Sequence, residues 1–104
     1  MSESRLEAGK QSGCFCLRGD LTFDTVAQLL ASSQSLLAAS PALTIDLAGV
    51  QRSDSAGLAL LVEWTRSAAA RRQAIDFINI PAQMRALAHV SGLDGVLPFE
   101  RVGP

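Results

Sequence analysis

The stretch LTIDLAGVQRSDSAGLALL, Leu43 to Leu61, contains the transition that decides the fold. Residues 42–50 are apolar or β-branched apart from Asp46, a pattern that predicts a strand buried on both faces of a sheet. A short polar loop follows, and apolar residues then recur at helical spacing from Gly57 to Arg72. A buried strand that leads directly into a helix indicates an α/β protein with parallel strands.

The flanking sequence predicts elements that extend this unit in both directions. Apolar and polar residues alternate on either side of the turn sequence GKQSG, residues 9–13, which predicts an antiparallel hairpin. The helices and strands predicted after it lie at residues 26–37, 42–50, 57–72, 74–80 and 81–91, and VLPF at 96–99 has the composition of a short edge strand. The predicted fold class is therefore α/β, a single domain over residues 1–104. Its mixed sheet has an opening antiparallel hairpin and then parallel strands, with helices packed against it.

Charge and composition limit the classes of partner. The 104 residues include nine Lys and Arg against ten Asp and Glu, so the net charge of -1 provides no attraction to nucleic acid or to an acidic membrane surface. The chain also lacks the run of about 20 apolar residues that spans a membrane as a helix. We expect a cytoplasmic protein without a nucleic-acid partner.

Two cysteines, Cys14 and Cys16, stand in a C-x-C run within a predicted strand. This is neither the C-x-x-C spacing of redox sites nor part of a zinc-ligand cluster, and unpaired thiols suit the reducing cytoplasm. We interpret both as small strand residues whose side chains lie on opposite faces of the sheet. Phosphate-binding and metalloprotease motifs are missing as well, so we predict neither a cofactor nor a metal site.

Ser55, Asp54 and His89 are the residue types of a hydrolytic triad. However, adjacent Asp and Ser side chains leave a turn in different directions, and nothing local brings His89 near Ser55. Ser55 also lacks the G-x-S-x-G context of a nucleophile elbow. We therefore predict a binding module with no catalytic residues.

Ser53, Asp54 and Ser55 stand together at the predicted start of the second helix. Each can accept a hydrogen bond from the first backbone N–H groups of that helix, so capping explains their presence. A hydroxyl at this place is also suited to phosphorylation, because a phosphate would meet unpaired N–H groups and a favourable helix dipole. Both interpretations remain open: a cap, or a hydroxyl that a partner contacts or modifies.

Leu60 and Trp64 fall outside the apolar stripe that we assign to the second helix. We expect them to be exposed, one turn beyond the hydroxyl loop, as part of a protein-docking face. The alternative is that Trp64 packs under the first or the third helix. With the loop, the docking interpretation predicts a partner interface that consists of Ser53, Asp54, Ser55, Ala56, Gly57, Leu60 and Trp64.

Three segments of the chain match the pattern of one family. LRGDLTFDTVAQLL is similar to its G-(E/D)-L-D-x-x-T segment, LTIDLAGVQRSDSAGLALL to its strand, D-(S/T)-x-G-L motif and helix, and AIDFINIPAQMRALAHVSGLDGVLPF to its closing strand, helix and tail. Thr22 or Phe23 stands where the family often has Asp. The chain thus resembles a STAS domain, the fold of bacterial anti-sigma-factor antagonists and related regulators. The resemblance implies that Ser55 corresponds to the residue that kinases phosphorylate in the sigma-regulating branch.

Within that family, the chain most resembles the MlaB-like branch, the cytoplasmic STAS subunits of the Mla phospholipid-transport ABC complex of Gram-negative bacteria. The resemblance implies a non-catalytic subunit that binds and supports the ATPase of the transporter and is peripheral to the inner membrane through that partner. The alternative is an anti-sigma-factor antagonist that is switched by phosphorylation of Ser55 and binds an anti-sigma factor kinase.

Overall fold

Within residues 4–99, which the computed structural model describes, four strands form one mixed sheet and three helices pack against it. The elements are β1 (Arg5–Ala8), β2 (Cys14–Leu21), α1 (Phe23–Ala38), β3 (Ala42–Ser53), α2 (Ser55–Ala70), β4 (Ala74–Ile78) and α3 (Ala82–Val90). The strands lie in the order β1-β2-β3-β4, with the first pair antiparallel and the other pairs parallel. The predicted fold class, with its opening hairpin, is confirmed.

The helices lie on one face of the sheet because of this strand order. α1 connects β2 to its neighbour β3, and α2 connects β3 to its neighbour β4, so both connections advance in the same direction across the sheet. Right-handed crossovers that advance in one direction place their helices on the same face. α2 contacts α1 on one side and α3 on the other, so the helices form a single layer.

The hydrophobic core lies between this layer and the sheet. In β3, Ile45 and Leu47 are fully buried, whereas the alternate residues Thr44 and Asp46 are only half-buried. The prediction that β3 is buried on both faces was wrong, because a single helical layer covers one face and leaves the other open. The polar Asp46 lies on that open face, where Asn79 Nδ2 donates a hydrogen bond to its Oδ1 at 3.0 Å.

The cysteines also lie on the open face of the sheet. Cys14 and Cys16 are both half-buried, while Phe15 between them is buried in the core. The expectation that the thiols lie on opposite faces was wrong, since residues two apart in a strand share a face. Both thiols are free.

β1 is held at the sheet edge by ion pairs as well as by its backbone. Glu7 accepts from Arg18 Nε at 2.6 Å and from Arg5 Nε at 2.8 Å. The hydrogen bond from Arg18 is the main reason why the pKa of the Glu7 carboxyl lies below its ordinary value of 4.5. These side chains are largely in water, so the pairs add little to stability.

The end of the described chain folds back onto the sheet. Phe99 forms a single parallel bridge with Phe77 of β4, so the edge strand proposed for residues 96–99 is reduced to one bridge. The rings of Phe77 and Phe99 meet edge to face at 6.3 Å between centroids, and the Arg85 guanidinium lies over the Phe99 ring. None of the helices between residues 4 and 99 has both the length and the hydrophobicity of a membrane span.

Candidate partner-binding site

The predicted site lies where two helices begin at the same end of the sheet. β2 and β3 are parallel, so both end there, and α1 and α2 each start two residues after the preceding strand ends. The backbone N–H of Asp54 donates to the carbonyl of Leu21 at 3.1 Å, which joins the two strand ends directly. Two helix N-termini, each with a partial positive charge, thus face one small polar region.

Asp54 bridges these two helix starts. Its Oδ1 accepts a hydrogen bond from Ala56 N at 2.8 Å in α2, and its Oδ2 accepts a longer and weaker one from Phe23 N at 3.4 Å in α1. The carboxylate therefore interacts favourably with the dipoles of both helices. Capping accounts for Asp54, as predicted, but the cap serves a second helix that lies 31 residues earlier in the sequence.

Ser55 is the first residue of α2 and is exposed to solvent. Among the described residues, none forms a hydrogen bond with its hydroxyl group. The hydroxyl is therefore accessible and is not required as a cap, since Asp54 has that role. A partner could contact it, and a phosphate on it would stand close to the N-termini of two helices.

Ser53 and Gly57 are buried beneath this surface. Ser53 is 8% exposed, and its hydroxyl donates to the carbonyl of Asp54 at 3.1 Å. A Cβ added to Gly57 would overlap Ser53 Oγ and would meet Leu21 Cβ at 3.0 Å, so only a glycine lets α2 approach the strand ends this closely. Of the predicted interface, these two residues shape the site from within and are not available for contact.

The expected exposure of Leu60 and Trp64 was wrong. Leu60 is 1% exposed and Trp64 is 2% exposed, and Trp64 Nε1 donates to Ser33 Oγ of α1 at 3.0 Å. α2 packs against α1 as well as against the sheet, so its buried arc is wider than the stripe that faces the sheet alone. The alternative, in which Trp64 packs under the first helix, is the observed arrangement.

The exposed part of the site is formed by other residues. Asp54 and Ser55 are exposed and Ala56 is half-buried, while Ala59 is exposed one turn further along α2. Phe23, the first residue of α1, is 84% exposed although it is a large aromatic residue. The sequence singled out Phe23 only as a departure from the family pattern, because the exposure of a residue at a helix start depends on how the helix packs.

His89 is not associated with the site. It lies in the last turn of α3, is mostly exposed, and its Nδ1 lies 2.5 Å from Asp94 Oδ2. No three metal-ligating side chains cluster within the part of the chain that the structure describes. The geometry thus provides a surface with an exposed hydroxyl, a carboxylate and an aromatic ring, which is suited to protein contact.

Comparison with known proteins defines the class of this fold. A crystal structure of an anti-sigma factor antagonist from Mycobacterium paratuberculosis aligns with a TM-score of 0.73 and 23% identity, over 98% of this chain and 87% of that one. The anti-sigma factor antagonist SpoIIAA in its unphosphorylated form aligns with a TM-score of 0.66 and 18% identity, over 96% and 89% of the two chains. At these identities the likeness shows a shared fold. No curated protein sequence matches the chain.

A sequence model of the family decides the membership. The model described as "Mlab, STAS domain" matches residues 4–98. The chain therefore belongs to the STAS domain family.

Proposed function

We propose that this chain is a non-catalytic subunit of an Mla-type phospholipid-transport ABC complex, in which it binds and supports the ATPase. The observation that carries the proposal is the match of nearly the whole chain to the STAS model that bears the Mlab description. In this proposal the protein is cytoplasmic and reaches the inner membrane only through its partner.

The contact surface in this proposal is the junction of the α1 and α2 starts. Asp54 and Ser55 are exposed there on a backbone that is tied to both strand ends, so a partner meets groups that are already in position. A pre-positioned surface loses little conformational entropy on binding. Leu60 and Trp64, which lie in the core, have no direct part in this contact.

A second candidate function is an anti-sigma-factor antagonist that is switched by phosphorylation. Two solved structures of such antagonists share the fold, which is the observation that favours it. In this case a kinase transfers the γ-phosphoryl group of ATP to Ser55 Oγ, and ADP leaves. The added charge of about -1.5 to -2 would lie next to Asp54 and repel an acidic partner surface.

Copurification and binding measurements distinguish the two functions. A tagged chain co-expressed with the ATPase of an Mla-type transporter should retain it. We expect Ser55→Asp to raise the dissociation constant about tenfold or more, because it introduces an unpaired charge at the contact. Ser55→Ala should have a smaller effect than Ser55→Asp, since it removes a hydroxyl without adding a charge and breaks no hydrogen bond of the free protein.

Ser35→Asp is the matched control, because Ser35 is an exposed serine of α1 outside the site. It should leave the affinity unchanged, and Ser55→Asp should not unfold the chain, since an acidic residue is favourable at a helix start. A wild-type chain that never retains the ATPase would refute the proposed function. The chain would then be incubated with an anti-sigma factor kinase and ATP. A gain of one phosphate by the wild type, and none by Ser55→Ala, would establish the second function.

A further inference from the structure

Phe23 is an unusual residue for the place that it occupies. Within residues 4–99, the large hydrophobic residues that are exposed are Phe23, Leu36, Val90 and Val96. Phe23 is the aromatic one in this set and also the most exposed, at 84%. It begins α1 directly beside the Asp54–Ser55 surface. The ring therefore exposes apolar area at the site where the proposed partner binds.

The fold does not use this ring. The residues that commonly form the apolar contact at a helix start are those before the N-cap and at the fourth helical position, which here are Leu21 and Val26. Leu21 is fully buried and Val26 packs against the core, so α1 is already anchored. An exposed phenyl group adds almost no hydrophobic stabilisation. Its presence at this position is therefore unexplained by folding.

The position of Phe23 is coupled to Ser55 through Asp54. The Asp54 carboxylate accepts a hydrogen bond from Phe23 N with one oxygen and from Ala56 N with the other. Ser55 lies between Asp54 and Ala56 in the sequence. The backbone of Phe23 is thus linked to the N-cap of α2, the helix whose first residue is Ser55. An aromatic side chain has few rotatable bonds, so a ring on an ordered backbone is a low-entropy contact residue.

The charged residues at the ends of β2 and β3 and at the start of α1 are mainly acidic. Asp24 and Asp54 are exposed and Asp20 is half-buried at the end of β2, whereas Arg52 is the basic residue beside them, opposite Asp20 in the strand register. An apolar contact residue in a predominantly acidic region is complementary to an apolar pocket with a basic rim.

We propose that Phe23 is the apolar anchor of the partner-binding surface and inserts into an apolar pocket with a basic rim on the partner protein. This inference rests on the proposed function, because the partner in question is the transporter ATPase. It replaces Leu60 and Trp64, which are buried, with a residue that is accessible in the folded chain. An aromatic residue that becomes buried at the centre of an interface typically dominates its binding energy.

The test compares Phe23→Ala with Val90→Ala in binding to the purified ATPase. Val90 is 82% exposed and ends α3, so its substitution removes an equally exposed apolar side chain away from the site. We expect Phe23→Ala to raise the dissociation constant about tenfold or more and Val90→Ala to change it less than about twofold. Phe23→Leu, which keeps an apolar side chain, should lie between wild type and Phe23→Ala.

Thermal unfolding of each variant separates loss of contact from loss of fold. Neither residue is in the core, so we expect unchanged midpoints. If the wild-type chain binds the ATPase and Phe23→Ala changes the dissociation constant by less than about twofold, the anchor role is overturned while the proposed function stands. Failure of the wild-type chain to bind the ATPase would overturn the proposed function, and the anchor role with it.

Discussion

At the scale of single residues, the junction depends on Asp54 and Gly57. Asp54 supplies one oxygen to each of two helix starts, and Gly57 lets α2 lie against Ser53 and Leu21. The two roles are complementary, since the cap sets the positions of the helices and the glycine sets how closely α2 approaches the strands. Ser55 is exposed and has neither of these structural roles, which belong to Asp54 and Gly57.

Gly57→Ala should destabilise the fold by about 1–3 kcal/mol, because the new methyl group overlaps Ser53 Oγ and crowds Leu21. Urea unfolding measures the change. Gly95→Ala is the control, since a Cβ there would meet no atom within 4 Å. Adding Ser53→Ala to Gly57→Ala should recover part of the loss. If Gly57→Ala were as stable as wild type, that result would contradict the close approach of α2 to Ser53 and Leu21.

At the scale of elements, the position of α2 between two neighbouring helices determines what it can expose. Trp64 lies under α1, where Ser33 Oγ accepts its indole N–H and donates to the Leu30 carbonyl at 3.1 Å. This polar chain is buried and fully paired, so it fixes how the two helices pack. A substitution of Trp64 therefore tests folding and not partner contact.

Ser33→Ala should cost about 1–3 kcal/mol of unfolding free energy, because it leaves the buried indole N–H without an acceptor. In a Trp64→Phe background the same substitution should cost clearly less, since the donor is already absent. Ser32→Ala, an exposed neighbour, should change stability by less than about 0.5 kcal/mol. Equal costs of Ser33→Ala in both backgrounds would show that the hydrogen bond contributes nothing.

At the scale of the whole molecule, the single helical layer leaves two distinct surfaces. One is the junction of the helix starts, with Phe23, Asp54 and Ser55. The other is the open face of the sheet, where a shallow groove of about 240 Å³ is lined in part by Cys14, Cys16 and other strand residues. The surfaces lie at different places in the fold, so a substitution in one can leave the other intact.

In the proposed complex, Asp76→Arg should leave the affinity for the ATPase within about twofold of wild type, because Asp76 is an exposed residue of the open face and not of the junction. Its effect on stability should also be small, less than about 0.5 kcal/mol. Titration calorimetry with the purified ATPase provides the measurement. A tenfold loss, about 1.4 kcal/mol, would instead place the partner on the open face.

The order of elements was predictable from sequence because each has a local cause. The alternation around GKQSG, the helical spacing after residue 25 and the glycine at 92 all depend on neighbours within a few positions. The polar start of α2 was predictable for the same reason, but β3 extends to Ser53 and α2 begins at Ser55, so the predicted loop is reduced to Asp54. Leu60 and Trp64 were misassigned because a helical wheel contains no information on how many neighbours a helix has.

The sequence by itself determined the α/β order, the family motif and the cluster of polar residues at the start of α2, since periodicity and turn chemistry act over short separations. Only the tertiary structure decided which face of the sheet is open, which arc of α2 is buried and that Asp54 reaches Phe23 across 31 positions. These features depend on contacts between residues far apart in the chain, and such contacts arise from the direction of the crossovers and the packing of α1 against α2.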